Sequence, residues 1–327
     1  MKKSKILLTF IILAVIFCFA LYLSAFAGAN DFGFHLVKKC FDLNGDSDSI
    51  LLEVLRFPRV VKAVIAGASL ALSGMLLQSV SKNPLAEPYI TGISSGAGFG
   101  IVLSVLLCGG YMYSLFGFFG ALLSSLLVIV FCGFGKFSIT KLILVGLSVN
   151  MFASSIISFL ILKNSDKTYA LMYILTGNVT ENAGVSDLCL FLIFFASLIV
   201  CAFFVPKLNF LRLDNELILN SKINKKMYDI LIILLSSFFA AISVLTAGIL
   251  SFIGIIAPQI SKIVVGNDYR LMFFSNILIG ASFLLIADVL SRVVLFPQQI
   301  PLGLVIAFIG APVFVYFLVK KGVFLND

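Results

Sequence analysis

Long apolar runs separated by short polar breaks fill the chain. The first extends from Ile6 to about Ala29, behind the lysines of Met1–Lys5. Further runs cover about 60–81, 89–107, 114–134, 141–162, 187–205, 228–250, 271–293 and 302–319. Each holds roughly 20 residues, the length an α-helix needs to cross a hydrocarbon core about 30 Å thick. A shorter run, 254–266, is read as a broken or half-length span and brings the predicted number to ten. Strands of a β-barrel would show as short alternating segments, and these runs do not alternate. Ala25-Phe26-Ala27 imitates a signal-peptidase site. The apolar core of a cleaved signal is only about 7–15 residues long, so the first run is read as an uncleaved span.

Composition turns this pattern into a class. Of 327 residues, 61% are hydrophobic and 12% charged, and the mean hydropathy is +1.16. A soluble domain is nearer half apolar and a quarter charged. The expectation is an all-α membrane protein of about ten transmembrane helices. The net charge of +8 matches the cationic bias of cytoplasmic loops better than nucleic-acid binding. An even number of spans puts both termini on one side, and Lys2, Lys3, Lys5, Lys320 and Lys321 make that side cytoplasmic. This topology leaves Asp31, Asp42, Asp46, Asp48 and Glu53 in the first external loop.

Two connections are longer than the rest. Asn30–Pro58 is polar and mixed in charge, whereas Pro206–Met227 is basic and internal. The internal one carries an amphipathic stretch (Leu208, Leu211, Leu213, Leu217, Ile218). Such a stretch suits an interfacial helix or a docking element for a cytoplasmic partner. A faint repeat pairs Gly74-Met-Leu-Leu-Gln78 with Gly254-Ile-Ile-Ala-Pro-Gln259, each followed by a Ser-Lys pair.

Candidate chemistry is sparse. Gly133-Phe-Gly-Lys136 lacks the spacing of a nucleotide-binding loop, so ATP, if used, binds another chain. His35 is the only histidine, and the six cysteines are scattered without a C-x-x-C. Neither a metal site nor a cofactor is expected, and no residue is assigned a catalytic role. Small residues repeat along Gly92, Gly96 and Gly100, a pattern that lets helices approach closely. Asp288 and Arg292 stand four apart on one helical face near the outer end of the ninth span and are expected to form an ion pair. Arg56-Phe-Pro-Arg59 marks the outer mouth of the second span, with Pro58 at a helix start.

A proton- or sodium-coupled secondary transporter, the alternative function, needs a buried ionisable site of its own. Only the Asp288/Arg292 pair is available for it. A membrane-embedded enzyme would need clustered His, Asp, Glu or Cys, and the chain offers dispersed carboxylates.

Taken in order, certain motifs are specific. They are Arg56-Phe-Pro-Arg59, Gly74, Gln78, Asn83-Pro-Leu-Ala-Glu-Pro88, Gly92-Ile-Ser-Ser-Gly-Ala97 and Gly254-Ile-Ile-Ala-Pro258. Gly266-Asn-Asp-Tyr-Arg270, Ala287-Asp288, Arg292, Ile300-Pro-Leu-Gly303 and Gly310-Ala-Pro-Val-Phe314 follow. Together they resemble the FecCD family of ABC-importer permeases, which serve iron-siderophore, haem and vitamin B12 uptake. The resemblance implies a type II importer permease over residues 1–327, not itself an enzyme, in the cell membrane. It would pair with a second permease copy (as homodimer, or heterodimer with a paralogue), two cytoplasmic ATPase subunits and an extracytoplasmic substrate-binding protein.

By position, the resemblance makes Arg56, Arg59 and Arg292 the docking residues for that binding protein. Asn83, Leu85, Ile139 and Thr140 become the cytoplasmic gate lining. The loop 207–227 becomes the coupling element for the ATPase, with Leu213, Asp214, Glu216, Leu217, Ser221 and Lys222 in it. The implied cargo is an iron(III)-siderophore or related metal chelate, with haem and cobalamin in the same class. This chain departs from the family pattern at Leu213-Asp214 and Ser221-Lys222, where glycines are usual. It also departs at Gln259 and Tyr173, where histidine and tryptophan are usual.

Overall fold

Eleven α-helices, ten of them where the apolar runs lie, form among the residues described by a computed structural model, 3–26, 56–133, 138–179, 186–211, 225–295 and 298–320. They are α1 (Lys3–Phe26), α2 (Phe57–Ser81), α3 (Ile93–Cys108), α4 (Tyr113–Gly133), α5 (Ile139–Lys163) and α6 (Thr168–Leu175). After these come α7 (Asp187–Leu211), α8 (Lys225–Ala247), α9 (Ile253–Val265), α10 (Tyr269–Val293) and α11 (Leu302–Lys320). Among them seven are long and apolar enough to cross a membrane, and α3, α9 and α11 contribute shorter apolar helices. All-helical architecture follows from the solvent, since only helices and closed barrels satisfy their own backbone in lipid.

Three boundaries differ from expectation. The third span does not begin at 89, because Pro88–Thr91 forms a 3-10 turn and Gly92, at φ 84°, breaks the chain before α3 starts. The helix α6 was not foreseen; it ends where Leu302 and Gly303 N–H groups donate to Gly177 and Thr176 carbonyls, fastening α6 to α11. α7 runs through Pro206 to Leu211 instead of stopping at 205. An interior proline costs about 3 kcal/mol, but Val205 and Leu208 on the same turns are buried, and their packing carries the helix past it. The end of α7 is also anchored: Asn209 Nδ2 donates to Asp268 Oδ1 at 2.7 Å and Tyr269 N–H donates to Asn209 Oδ1 at 3.0 Å.

α2 is the central helix. In its most apolar stretch 89% of residues are buried, against 11% for α1 and α5. It packs along α8, α9 and α10, while α1 lies mainly on α10. Lipid tails are as apolar as leucine, so close packing and polar links hold membrane helices together more than hydrophobicity does. Both are present. A Cβ built on Gly67 would overlap the Gly280 carbonyl, and one on Gly74 would overlap the Gly254 carbonyl. Ser73 Oγ donates to Ser236 O at 2.6 Å, and Ser236 Oγ donates back to Ser73 O at 2.8 Å, bridging α2 and α8. Ser261 and Ser275 link α9 to α10 through a direct hydroxyl–hydroxyl bond.

The faint repeat acquires a physical meaning here, because its two copies touch. Gly74 meets Gly254, and Gln259 Nε2 donates to Gln78 Oε1 at 2.9 Å. The glycine stripe of α3 packs on α4, where Gly96 meets Gly120 and Gly100 meets the Phe116 carbonyl. On the exposed face of α5, Ser148, Ser155 and Ser158 donate to carbonyl oxygens one turn back. Those hydroxyls therefore meet apolar surroundings with their donors already satisfied.

Candidate functional site

Polar side chains collect at two ends of the helix bundle. At the first, α2 begins, α1 and α10 finish, and two of three neighbouring arginines meet one carboxylate. Arg59 Nε donates to Asp288 Oδ1 at 3.0 Å, and its NH2 lies 2.9 Å from the same oxygen. Arg292 NH2 lies 3.1 Å from Asp288 Oδ2 and also donates to Ser24 O at 3.1 Å. Asp288 has no exposed surface, and the two arginine side chains retain 11% and 10%. Arg56 NH1 donates to Ala25 O at 3.3 Å. The corner thus ties α1, α2 and α10 together while keeping more positive than negative charge.

The chain puts the three arginines there for simple reasons. Pro58 is at the start of α2, where its missing N–H costs nothing, and this leaves Arg56 and Arg59 on the first turn. Asp288 and Arg292 share a face of α10 by their four-residue spacing. The pairing of Arg59 with Asp288 joins residues far apart in sequence. Lys62 was not foreseen as part of this end. It is 3% exposed and pairs with Asp187 at the start of α7, 3.2 Å away. Its signal was its spacing: 56, 59 and 62 recur every three residues along one helix.

At the opposite end, α2 finishes at Ser81 and the chain turns through Lys82 at φ 50°. Asn83 Oδ1 accepts the Leu85 N–H at 2.9 Å, closing a tight turn with Leu85 exposed. Around that turn Gln78 Nε2 donates to Gly254 O at 3.1 Å, and Gln259 Nε2 donates to Pro84 O at 3.0 Å. A cavity of about 320 Å³ opens beside it, lined by Gln78, Lys82, Pro84, Gln259, Lys262 and Tyr269 among others. Gln259 therefore holds the turn through both α2 and Pro84.

Ile139 and Thr140 form the first turn of α5, which Ser138 caps by accepting the Lys141 N–H at 3.1 Å. Thr140 is exposed. This helix reaches the chain that follows the Asn83 turn through Asn150, whose Nδ2 donates to Tyr89 O at 2.9 Å in the 3-10 turn Pro88–Thr91. Leu213, Asp214, Glu216, Leu217, Ser221 and Lys222 lie outside the described residues. Among the described residues, no three His, Cys, Asp or Glu side chains gather closely enough to hold a metal ion.

Comparison with known proteins adds to this geometry. The sequence profile of the FecCD transport family matches residues 12–320. The chain is 32% identical over 324 residues to the Fe(3+)-citrate import system permease protein YfmD of Bacillus subtilis, an alignment covering 98% of this chain and 97% of that protein. It is 33% identical over 280 residues to the Fe(3+) dicitrate transport system permease protein FecC of Escherichia coli, covering 83% and 84%. Among solved structures, an inward-facing transporter described as of the metal-chelate ABC type superposes with a TM-score of 0.81. The two share 25% identity over 97% of this chain and 100% of the other.

Proposed function

The chain belongs to the FecCD transport family, and from that premise we propose how its two polar ends serve transport. It is a membrane-embedded permease subunit of an ABC importer, and it transports without being an enzyme. On our reading its cargo is an iron(III)-siderophore or related metal chelate. The observation that carries this is the agreement with the Fe(3+)-citrate permease over 98% of the chain. Haem and cobalamin remain within the same chemical class.

In this proposal the single permease unit, residues 1–327, lies in the cell membrane with both termini in the cytoplasm. It works with a second permease copy, two cytoplasmic ATPase subunits and an external binding protein. The arginine corner faces outward, and acidic side chains of the loaded binding protein settle on Arg56, Arg59 and Arg292. The loop 207–227 engages the ATPase. The tie between Asn209 and the start of α10 supports this, because it gives motion of the loop a route into a helix that also carries Asp288. Asn83 and Leu85, with Ile139 and Thr140, form the inner gate. A docked protein or ATP shifts the gate only by binding one state better than the other.

A self-sufficient ion-coupled carrier would have to use a buried carboxylate: Glu87, whose Oε1 already accepts the Phe252 N–H at 2.7 Å, or Asp288. Two guanidinium groups already occupy the Asp288 carboxylate, so the ATP-driven reading is preferred. Its test is purification in mild detergent from native membranes. An ATPase recovered near one per permease, with uptake of radiolabelled iron chelate abolished by deleting it, is the expected result. Uptake that persists without any ATPase would overturn the reading.

Docking yields a second expectation. Arg59 and Arg292 are locked onto Asp288, whereas Arg56 touches only a backbone carbonyl among the described contacts. Arg56→Glu is therefore the cleaner probe. It is expected to weaken binding-protein docking roughly tenfold at low salt, with the difference shrinking as ionic strength rises. Unchanged docking by surface plasmon resonance would remove Arg56 from the interface.

A further inference from the structure

Residues 82–92 join α2 to α3 with little regular structure, in the tight turn at Asn83–Leu85 and the 3-10 turn Pro88–Thr91. Irregular backbone at membrane depth is tolerated only where protein satisfies it. The side chains that bond this segment therefore show what it is fastened to. Phe252 N–H donates to Glu87 Oε1 at 2.7 Å, and Leu250 N–H donates to the Tyr89 hydroxyl at 2.8 Å. Gln259 holds Pro84 O, as described above. All three partners belong to α9 or to the break between α8 and α9. Among the described contacts α2, clamped on α9 through Gly74 and Gly254, also holds the segment: Gln78 Nε2 donates to Ala86 O at 3.4 Å, and Ser81 Oγ accepts the Asn83 N–H at 3.3 Å. Asn150 leads to α5, and Ser124 Oγ of α4 donates to Gly92 O at 2.7 Å.

The break itself is strained. Phe252 adopts φ 68°, a left-handed conformation unfavourable for a bulky residue. Its N–H is aimed at Glu87 Oε1, which gives the strained turn an acceptor it would otherwise lack. Docking, coupling and gate lining leave this carboxylate without a role.

We propose that Glu87 is a positioning residue that fastens the gate segment to the break between α8 and α9, so that Asn83 and Leu85 move with α9 and slide against α5. The proposal rests on the gate reading given above. Glutamine at 87 keeps an acceptor oxygen with the same reach. Alanine leaves the Phe252 N–H unpaired and the strained turn unsupported.

The test uses the complete importer in membrane vesicles with a Leu85→Cys reporter. A membrane-impermeant maleimide is added on the ATPase side, and modification is read at that peptide by mass. The reporter alone should label at different rates in the nucleotide-free and ATP-trapped states; equal rates would sink the gate reading and this proposal with it. Where the rates differ, adding Glu87→Ala should raise labelling in the protected state roughly tenfold and lower transport per ATP hydrolysed. Glu87→Gln should stay within about twofold of its parent. If Glu87→Ala lowers only yield or melting while surviving complexes label at the parental rate, Glu87 is merely structural and the proposal fails. Should that variant not assemble, Glu87→Asp, which keeps the charge but loses one methylene of reach, carries the same comparison.

Discussion

Gly74→Leu is expected to abolish accumulation of folded protein in the membrane, and Gly74→Ala to lower its melting point sharply. A Cβ at this position falls inside the Gly254 carbonyl, so the obstacle is backbone and cannot swing aside. α2 cannot yield either. Two turns away Gly67 meets Gly280, and between them Ser73 exchanges hydroxyl–carbonyl bonds with Ser236. Separating α2 from α9 by one methyl radius would break the Gln78–Gly254 bond as well. Overpacking a core costs about 1–3 kcal/mol and occasionally more; here, with three helices clamped on one, about 3 kcal/mol is expected for alanine. Gly133→Ala, with nothing within 4 Å of the added carbon, is the control that should melt like the parent. Gly74→Ala melting with it would mean that α2 and α9 are not in contact.

Asp288→Leu should be nearly as damaging. It strands two guanidinium groups beside a site with no solvent exposure. Breaking a buried pair by removing one partner costs about 3–5 kcal/mol. The low end, about 3 kcal/mol, is expected because Arg59 NH1 keeps a contact with Gln299 and some exposed surface. Replacing the whole cluster is a different experiment. Arg59→Met, Asp288→Leu and Arg292→Met together remove the ion cluster at Asp288 and leave Arg56 in place, and apolar substitutes of similar volume are often neutral or stabilising. The triple variant should melt close to the parent yet take up chelate poorly, because two of the three docking cations have gone. A triple variant that transports normally would free the cluster of any docking role, and one that melts as early as Asp288→Leu alone would contradict the electrostatic account.

The apolar runs announced every helix that exceeds 12 residues, including the short α9, and the Asp288–Arg292 pairing was readable from its spacing. The unpredicted α6 is only Thr168–Leu175, too short for periodicity to register. Proline misled at 206, since its local cost was visible in the chain but the burial of Val205 and Leu208 that offsets it was not. The family motif contained Glu87 without disclosing a partner, and Tyr89 stood just beyond it, because their partners are backbone N–H groups. A main-chain donor has no letter in a sequence.

Hydropathy, charge bias and motif order determined by themselves that this chain is a helical membrane permease, since lipid admits few structures and the motifs recur in order over nearly the whole length. Only the tertiary structure decided that Arg59 is joined to Asp288, that Gly74 faces Gly254, and that the segment at 82–92 hangs from the turn at 248–252. The reason is the solvent. Apolar helix faces are as content against lipid as against one another, so an apolar run specifies that a helix spans but not which neighbour it meets. Register and partner are set instead by small residues that permit contact and by the few polar groups that lipid cannot satisfy, and those act only once the helices have been brought together.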